Sequence, residues 1–149
     1  MSMRGVGNAD EFTPLGLFMR EHCRSSDIGL SIINIDYMVL DFRNNRLMII
    51  EEKRRGAGLH IGQGLALQFL DDLISAGAPL QSVEYWGWYV LQFPEGKHFP
   101  GPGMRLNNVP ITVEELVAHV NFERMHVPGL TKDTMRQLTM GLTTNGGRR

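Results

Sequence analysis

The spacing of hydrophobic and polar residues in the first third of the chain predicts a helix followed by a β-hairpin. Thr13-Pro14 is typical of a helix start, and the stripe at helical spacing after it is predicted to be buried: Leu15, Phe18, Met19 and His22. Two apolar runs, residues 30–42 and 47–50, then flank Asn44-Asn45. Asparagine tolerates the left-handed backbone of a tight turn, so these two runs are predicted to pair as a hairpin.

The middle of the chain changes from a helical to an extended pattern. Residues 59–75 repeat at helical spacing as far as Gly77 and Pro79, which end the helix. The predicted buried face of this helix consists of Ala66, Phe69, Leu70 and Leu73. Residues 83–93 are rich in β-branched and aromatic side chains and predict a strand, whereas residues 94–103, with three prolines and three glycines, predict a loop.

A last helix is predicted from a capping box, in which Thr112 and Glu115 satisfy each other's backbone N–H groups. Ile111 would pack on Leu116, and the apolar stripe consists of Val113, Leu116, Val117 and Val120. The order of elements predicts an α/β or α+β fold with a small central sheet that carries helices on its faces. We assign residues 1–128 to a single domain and residues 129–149 to a polar, partly flexible C-terminal extension.

Composition limits the class of protein. The 149 residues fit one domain, the one cysteine excludes an internal disulfide, and no apolar run has the roughly 18 residues that a membrane span needs. No secretory signal is readable, so we expect a soluble, cytoplasmic protein without a membrane partner. The net charge of −1 argues against coating of nucleic acid, although basic residues cluster locally: Arg43, Arg46, Lys53, Arg54 and Arg55.

The predicted hairpin brings three charged residues to the end of an apolar face. With a two-residue turn at Asn44-Asn45, or a four-residue loop of the same register, Asp36 lies opposite Lys53, and Met38 lies opposite Glu51. Since side chains alternate along a strand, Asp36, Glu51 and Lys53 share one face. An odd number of turn residues would move Asp36 to the other face.

Charged side chains at the end of a buried face are costly unless they are paired or bind a metal. Two carboxylates can hold Mg²⁺ and leave room for water and a phosphate oxygen, and the metal lowers the pKa of that water. A nearby lysine stabilises the attacking water and the developing charge. Asp36, Glu51 and Lys53 therefore predict a site for phosphodiester hydrolysis.

Asp36 on one strand and Glu51-Glu52-Lys53 on the next resemble the motif of the PD-(D/E)XK nuclease superfamily. The resemblance implies a restriction-endonuclease-like core, with a mixed sheet flanked by helices, and Mg²⁺ or Mn²⁺ as the cofactor. Many members carry a glutamine on the helix after the lysine, and Gln63 occupies that place as a further catalytic residue. The resemblance also implies that the backbone carbonyl of Glu52 is a metal ligand.

The stretch from Glu51 through Gln63 to residues 74–84 is similar to the virus-type replication-repair nuclease branch, and a Holliday-junction-resolvase-like branch is an alternative. This similarity covers roughly a third of the chain. Ile35 stands where the superfamily has its most variable element, a proline. Some members use a glutamate on the first helix, for which Glu11 and Glu21 both qualify, and Glu21 fits the predicted helix better.

The resemblance implies a Mg²⁺-dependent DNA nuclease that acts in DNA repair, recombination, restriction or phage DNA processing. Four residues are candidates for contacts with the DNA backbone: Arg43, Arg46, Arg54 and Arg55. A homodimer is expected if both strands of a duplex are cut. The alternative function is a non-catalytic module that keeps the fold to bind nucleic acid or protein. In the alternative structural interpretation, Asp36 and Lys53 form an ordinary solvated ion pair.

Other residues receive structural interpretations. Glu95-Gly96-Lys97 repeats the acidic-X-lysine triplet, but it lies in the predicted loop with no opposed aspartate. Strict alternation puts Tyr85 and Tyr89 on the face opposite Trp86, and core packing is favoured over base stacking for this aromatic segment. The histidines show no metal-ligand spacing, and His22 is predicted to be a core residue.

Overall fold

The computed structural model describes residues 14–22, 33, 35–54, 61–94, 96–97 and 99–138. Its helices are α1 (Pro14–His22), α2 (Ile61–Gly77), α3 (Val113–Val120) and α4 (132–138), and a 3₁₀ helix (Ala78–Gln81) follows α2. Its strands are β1 (Tyr37–Asp41), β2 (Arg46–Arg54), β3 (Glu84–Phe93), β4 (Arg105–Leu106) and β5 (Val109–Pro110). None of the described helices is long and apolar enough to cross a membrane.

The strands form one five-stranded sheet in the order β1-β2-β3-β4-β5. β2 and β3 run parallel, and all other neighbours are antiparallel. A parallel pair needs a crossover connection, and α2 provides it. The predicted α/β class, with a mixed central sheet and helices on its faces, is confirmed.

Each face of the sheet carries its own hydrophobic core. On one face, Met48 and Ile50 of β2 pack with Leu116 of α3. On the other face, Ile49 packs with Leu67 of α2. We call this second face the α2 face, and it is the face that carries the predicted site.

The described residues after the predicted boundary at residue 128 pack against the sheet. The backbone N–H of Leu130 donates a hydrogen bond to the carbonyl of Trp88 at 2.8 Å. Leu130 and Leu138 are buried in the core on the α2 face. Within the described residues, β4 pairs with Leu91 and Gln92 of β3, and residues 129–130 lie against the earlier part of β3. Residues 139–149 of the predicted extension lie outside the described residues.

The hairpin forms with a four-residue turn, residues 42–45, which is centred one residue before the predicted centre at Asn44-Asn45. Asp41 closes it, because its Oδ1 accepts hydrogen bonds from the backbone N–H groups of Arg43 and Asn44, each at 3.2 Å. Its Oδ2 accepts a further bond from Nη2 of Arg46 at 2.6 Å. Asn45 takes the left-handed conformation, with φ of 54°.

This turn shifts the predicted hairpin register by two residues. Met38 pairs with Ile49, not with Glu51, and Leu40 pairs with Leu47. Because the shift is even, no side chain changes face. The predicted sharing of one face is therefore confirmed, while the predicted partners are wrong.

Several predicted buried stripes are exposed. On α1, Leu15 and Phe18 are 68% and 53% exposed, and His22 is also exposed and stacks on the Phe18 ring instead of lying in a core. On α2, Phe69 and Leu73 are exposed, because the helix is apolar on two sides and turns Leu67, Leu70 and Ile74 to the sheet. On α3, the predicted capping box is confirmed.

A β-bulge changes the predicted alternation of the aromatic residues on β3. Leu47 pairs with Tyr85 but Met48 pairs with Gly87, so Trp86 is an extra residue on β3. Trp86 and Tyr89 consequently lie in the same core, opposite the face of Trp88. Trp86, Trp88 and Tyr89 are buried, which confirms core packing for them.

Candidate functional site

Glu51 is a buried carboxyl near the end of β2, held under the first turn of α2. Its side chain is 3% exposed. Gln63, the third residue of α2, donates a hydrogen bond from Nε2 to Oε1 of Glu51 at 3.3 Å. Among the described residues, neither Oε2 of Glu51 nor Oε1 of Gln63 has a hydrogen-bond partner, although both atoms are buried. Two neighbouring buried oxygen atoms, Oε2 of Glu51 and Oε1 of Gln63, therefore lack a hydrogen-bond donor among the described residues.

Asp36 lies directly before β1 and is fixed beside Glu51 by the backbone of β2. Its Oδ2 accepts a hydrogen bond from the backbone N–H of Glu52 at 2.8 Å. If the β1–β2 pairing is continued by one residue, Asp36 stands opposite Glu51 and not opposite Lys53. The structure thus joins the two predicted carboxylates as cross-strand neighbours.

The electrostatics of Glu51 follow from this position. Burial raises the pKa of Glu51 from 4.5 to about 8, and the negative charge of Asp36 raises it further, while the ammonium of Lys53 opposes the shift. Two carboxylates that share a buried place cannot both ionise easily without a compensating cation. Without a cation, Glu51 is therefore mostly protonated at neutral pH, and a bound cation would favour its ionised form.

Lys53 is half-buried on the α2 face, two residues beyond Glu51 on the same strand. It is close enough to stabilise the ionised form of Glu51. In the alternative interpretation of the hairpin end as a solvated ion pair, no carboxyl would be buried. The 3% exposure of Glu51 does not fit that alternative.

The donor set suits a hard divalent cation such as Mg²⁺ or Mn²⁺. Mg²⁺ prefers oxygen ligands and is usually held by one or two carboxylates while it keeps several waters. Asp36 and Glu51 supply the carboxylates, and the open oxygens of Glu51 and Gln63 are the atoms that such an ion or its waters would satisfy. No group of three or more Asp, Glu, His or Cys side chains converges in the described part of the chain.

The side chain and the backbone of Glu52 have different surroundings. Its side chain is exposed and accepts a hydrogen bond from the Tyr37 hydroxyl at 3.4 Å. Its backbone N–H points to Asp36, and in a strand the N–H and C=O of one residue point to the same side. The carbonyl predicted as a ligand is therefore directed to the side of Asp36.

The remaining predicted site residues are not brought to the centre. Glu21 is exposed on α1 and is not part of a convergent group with Asp36 and Glu51. Arg46 is bound to Asp41 and to the carbonyl of Phe122, at 2.9 Å. Arg43 lies in the turn at the other end of β2. Three further predicted residues lie outside the described part, namely Glu11, the side chain of Arg54, and Arg55.

Two polar residues that residue spacing does not reveal continue across the sheet from Lys53. Gln92 of β3 pairs with Lys53, and Arg105 of β4 pairs with Gln92. β4 has only two residues, too few for an alternating pattern to reveal a strand or its partner.

Comparisons of the chain with protein-family models, with curated proteins and with solved structures found no match.

Proposed function

We propose that this protein is a Mg²⁺- or Mn²⁺-dependent DNA nuclease whose centre is the pair Asp36 and Glu51. The observation that carries the proposal is the burial of Glu51 beside a second carboxyl, with open oxygen atoms on Glu51 and Gln63. An unpaired carboxyl is costly in a core. A divalent cation at this place would compensate both carboxylates and would account for the burial of Glu51.

The residues of the centre are either ligands of the cation or groups that assist the reaction. The ligands are Asp36, Glu51 and the backbone carbonyl of Glu52. A divalent cation held there lowers the pKa of a water and stabilises negative charge on a phosphate. The ammonium of Lys53 holds the attacking water and stabilises the charge that develops on the phosphate. Gln63 holds Glu51 in place through the bond to Oε1.

The start of α2 adds to this environment. Gln63 is in the first turn of α2 and contacts Glu51, so the amino end of the helix lies at the centre. Helix amino ends carry partial positive charge and free N–H groups, which favour phosphate. The substrate phosphate thus meets positive charge from Lys53 and from α2.

Cleavage of DNA tests the proposal directly. Purified protein is incubated with single-stranded, duplex and branched DNA in Mg²⁺, in Mn²⁺ and in EDTA. We expect cleavage of at least one substrate with either cation and none in EDTA. Absence of cleavage on all three DNA forms would contradict the proposal.

Binding of the cation is measured separately from activity. Mn²⁺ titration followed by electron paramagnetic resonance should show binding to the wild-type protein and a large loss in Asp36→Asn. DNA binding that is indifferent to EDTA and to Asp36→Asn, without cleavage, would instead support the non-catalytic module.

A homodimer remains part of the proposal only if duplex DNA is cut on both strands. One centre of this kind hydrolyses one phosphodiester bond at a time, so a second copy would supply the centre for the other strand. Light scattering coupled to size-exclusion chromatography, with and without DNA, measures the mass. A monomer on cleaved duplex DNA would imply sequential nicks.

A further inference from the structure

A row of three polar side chains crosses the sheet beside the candidate centre. Lys53 of β2 pairs with Gln92 of β3, and Gln92 pairs with Arg105 of β4. We call these residues the Lys53 row. Trp88 and Val90, which have the same parity as Gln92, lie in the core on the α2 face. The whole Lys53 row therefore lies on the face that also carries Glu51.

Arg105, at the far end of the Lys53 row, is a cation that can bind a ligand. Arg105 is exposed, and its Nη1 donates a hydrogen bond to the carbonyl of Asn108 at 3.2 Å. No carboxylate within the described ranges forms a salt bridge with Arg105. Arg46, by contrast, is held by Asp41 in an ion pair at 2.6 Å. Arg105 thus keeps most of its hydrogen-bond donors for a ligand.

Gln92 is fixed in the middle of the row by a bond that leaves its donor side open. Its Oε1 accepts a hydrogen bond from the backbone N–H of Asn108 at 3.0 Å. Asn108 thus holds both Gln92 and Arg105, one through its N–H and the other through its carbonyl. The turn between β4 and β5 therefore orients the two side chains together, with Nε2 of Gln92 directed away from that contact.

We propose that Gln92 and Arg105 bind the backbone of the cleaved DNA strand, one to two nucleotides away from the scissile phosphate. This inference rests on the proposed function and names a binding site for its substrate. Neighbouring strands lie about 4.8 Å apart, so Arg105 is about 10 Å from Lys53 across the sheet. Successive phosphates of one DNA strand are separated by roughly twice the 3.4 Å rise along the duplex axis, so this distance spans one to two nucleotides. A chain with a net charge of −1 needs such local cations to hold DNA.

Removal of the Arg105 charge tests the row, and Arg124 supplies the matched control. Both arginines are exposed, but Arg124 follows α3, which packs on the opposite face of the sheet. Binding of labelled single-stranded, duplex and branched DNA is measured by fluorescence anisotropy with Ca²⁺, over a range of salt concentrations. We expect Arg105→Ala to weaken binding roughly tenfold and to lower the salt slope by about one, with Arg124→Ala close to wild type.

Two further variants separate contact from folding. Arg105→Lys keeps the charge and should recover most of the affinity. Gln92→Glu keeps the Oε1 that accepts from Asn108 but replaces the donor by a negative charge, so it should weaken binding with an unchanged melting temperature. Equal effects of Arg105→Ala and Arg124→Ala, whether both large or both absent, would overturn the inference.

The position of the contact is mapped on the DNA. Single neutral methylphosphonates are placed one to five nucleotides on either side of the cleavage position. Wild type should lose affinity when the neutral phosphate is one or two nucleotides away on one side, and Arg105→Ala should lose nothing more there. If the protein cleaves DNA but no such position exists, the row is wrong and the proposed nuclease function stands. If wild type neither binds nor cleaves DNA, both proposals fail.

Discussion

Gln63 of α2 and Glu51 of β2 are joined by a hydrogen bond of 3.3 Å between Nε2 and Oε1. This bond connects the crossover helix to the buried carboxyl. Gln68 lies five residues further along the same helix and donates to Oδ1 of Asp72 at 3.0 Å instead. The two glutamines of α2 are therefore a matched pair, of which one positions the centre and the other does not.

Gln63→Ala should lower both Mn²⁺ affinity and kcat by about 10- to 100-fold, the usual effect of removing a group that orients a metal ligand. Gln68→Ala should leave both unchanged. Electron paramagnetic resonance measures the affinity, and single-turnover cleavage measures the rate. Similar losses in the two variants would show a general effect on α2 and not a role in positioning Glu51.

Lys53→Ala should lower kcat by about 10²- to 10³-fold, because it removes a charge that stabilises the transition state. Mn²⁺ affinity should not fall, since Lys53 is not a metal ligand. Lys97→Ala is the control, because Lys97 ends the second acidic-X-lysine triplet and lies in the loop after β3. A rate unchanged by Lys53→Ala would remove this residue from the mechanism.

The candidate site was predictable because it depends on parity. A turn with an even number of residues keeps Asp36 and Glu51 on one face, whether it has two residues or four. The actual partners were not predictable, because the side chain of Asp41 selects the longer turn by binding Arg46 and two backbone N–H groups. Such a choice depends on contacts that residue spacing does not show.

Other features depend on contacts between distant segments. The second half of the sheet closes with β4 and β5, where Asn107 and Asn108 both have positive φ, of 51° and 68°. Asn107 is buried because its side chain bonds the backbone of Val90 and of Pro128. Strands of two residues, such as β4 and β5, show no periodicity from which they could be predicted. The buried face of α2 was predicted wrongly because this helix is apolar on two sides.

Glu51→Gln should stabilise the metal-free protein. The pKa of Glu51 is raised to about 8 in the folded state from 4.5, so its favourable contribution is complete below pH 4.5 and is lost as the pH rises toward 8. Glutamine does not ionise, and its advantage over wild type should grow across this window to at most about 5 kcal/mol. Urea unfolding in EDTA from pH 4.5 to 8 measures it. With Mn²⁺, wild type should gain stability and the variant should not.

Gly129→Ala should destabilise the fold by about 2 kcal/mol or more, because a Cβ there would lie 2.7 Å from the carbonyl oxygen of Trp86 and 2.9 Å from Cα of Gly87. This close approach is what places residues 129–138 against β3. Gly77→Ala is the control, since its Cβ would meet nothing within 4 Å and its φ of −90° suits alanine. That change should be neutral or stabilise by about 0.4 to 1 kcal/mol. Thermal unfolding compares the two, and equal effects would mean that the segment is not tightly packed.

His119 should make the protein sensitive to mild acid. Its ring is fully buried between Trp86 and Tyr89, and Nδ1 accepts a hydrogen bond from the backbone N–H of His126 at 3.2 Å. Burial, followed by the charge of His126, lowers the pKa of His119 from 6.5 to about 4. Between pH 6.5 and 4, His119 therefore binds a proton in the unfolded chain but not in the folded protein. The contribution of neutral His119 to folding stability is complete above pH 6.5 and is lost as the pH falls to 4.

The expected loss is about 3 kcal/mol, at about 1.4 kcal/mol for each pH unit per proton. His119→Asn keeps an acceptor for the His126 N–H but cannot bind a proton, so its stability should fall less steeply over the same range. His22→Asn, on the exposed surface of α1, should keep the wild-type slope. Urea unfolding at half-unit steps from pH 4 to 7 gives the three slopes. The carboxylates titrate equally in all three proteins, so a difference between the slopes reports His119 alone. Parallel curves for wild type and His119→Asn would show that protonation of His119 is not coupled to folding.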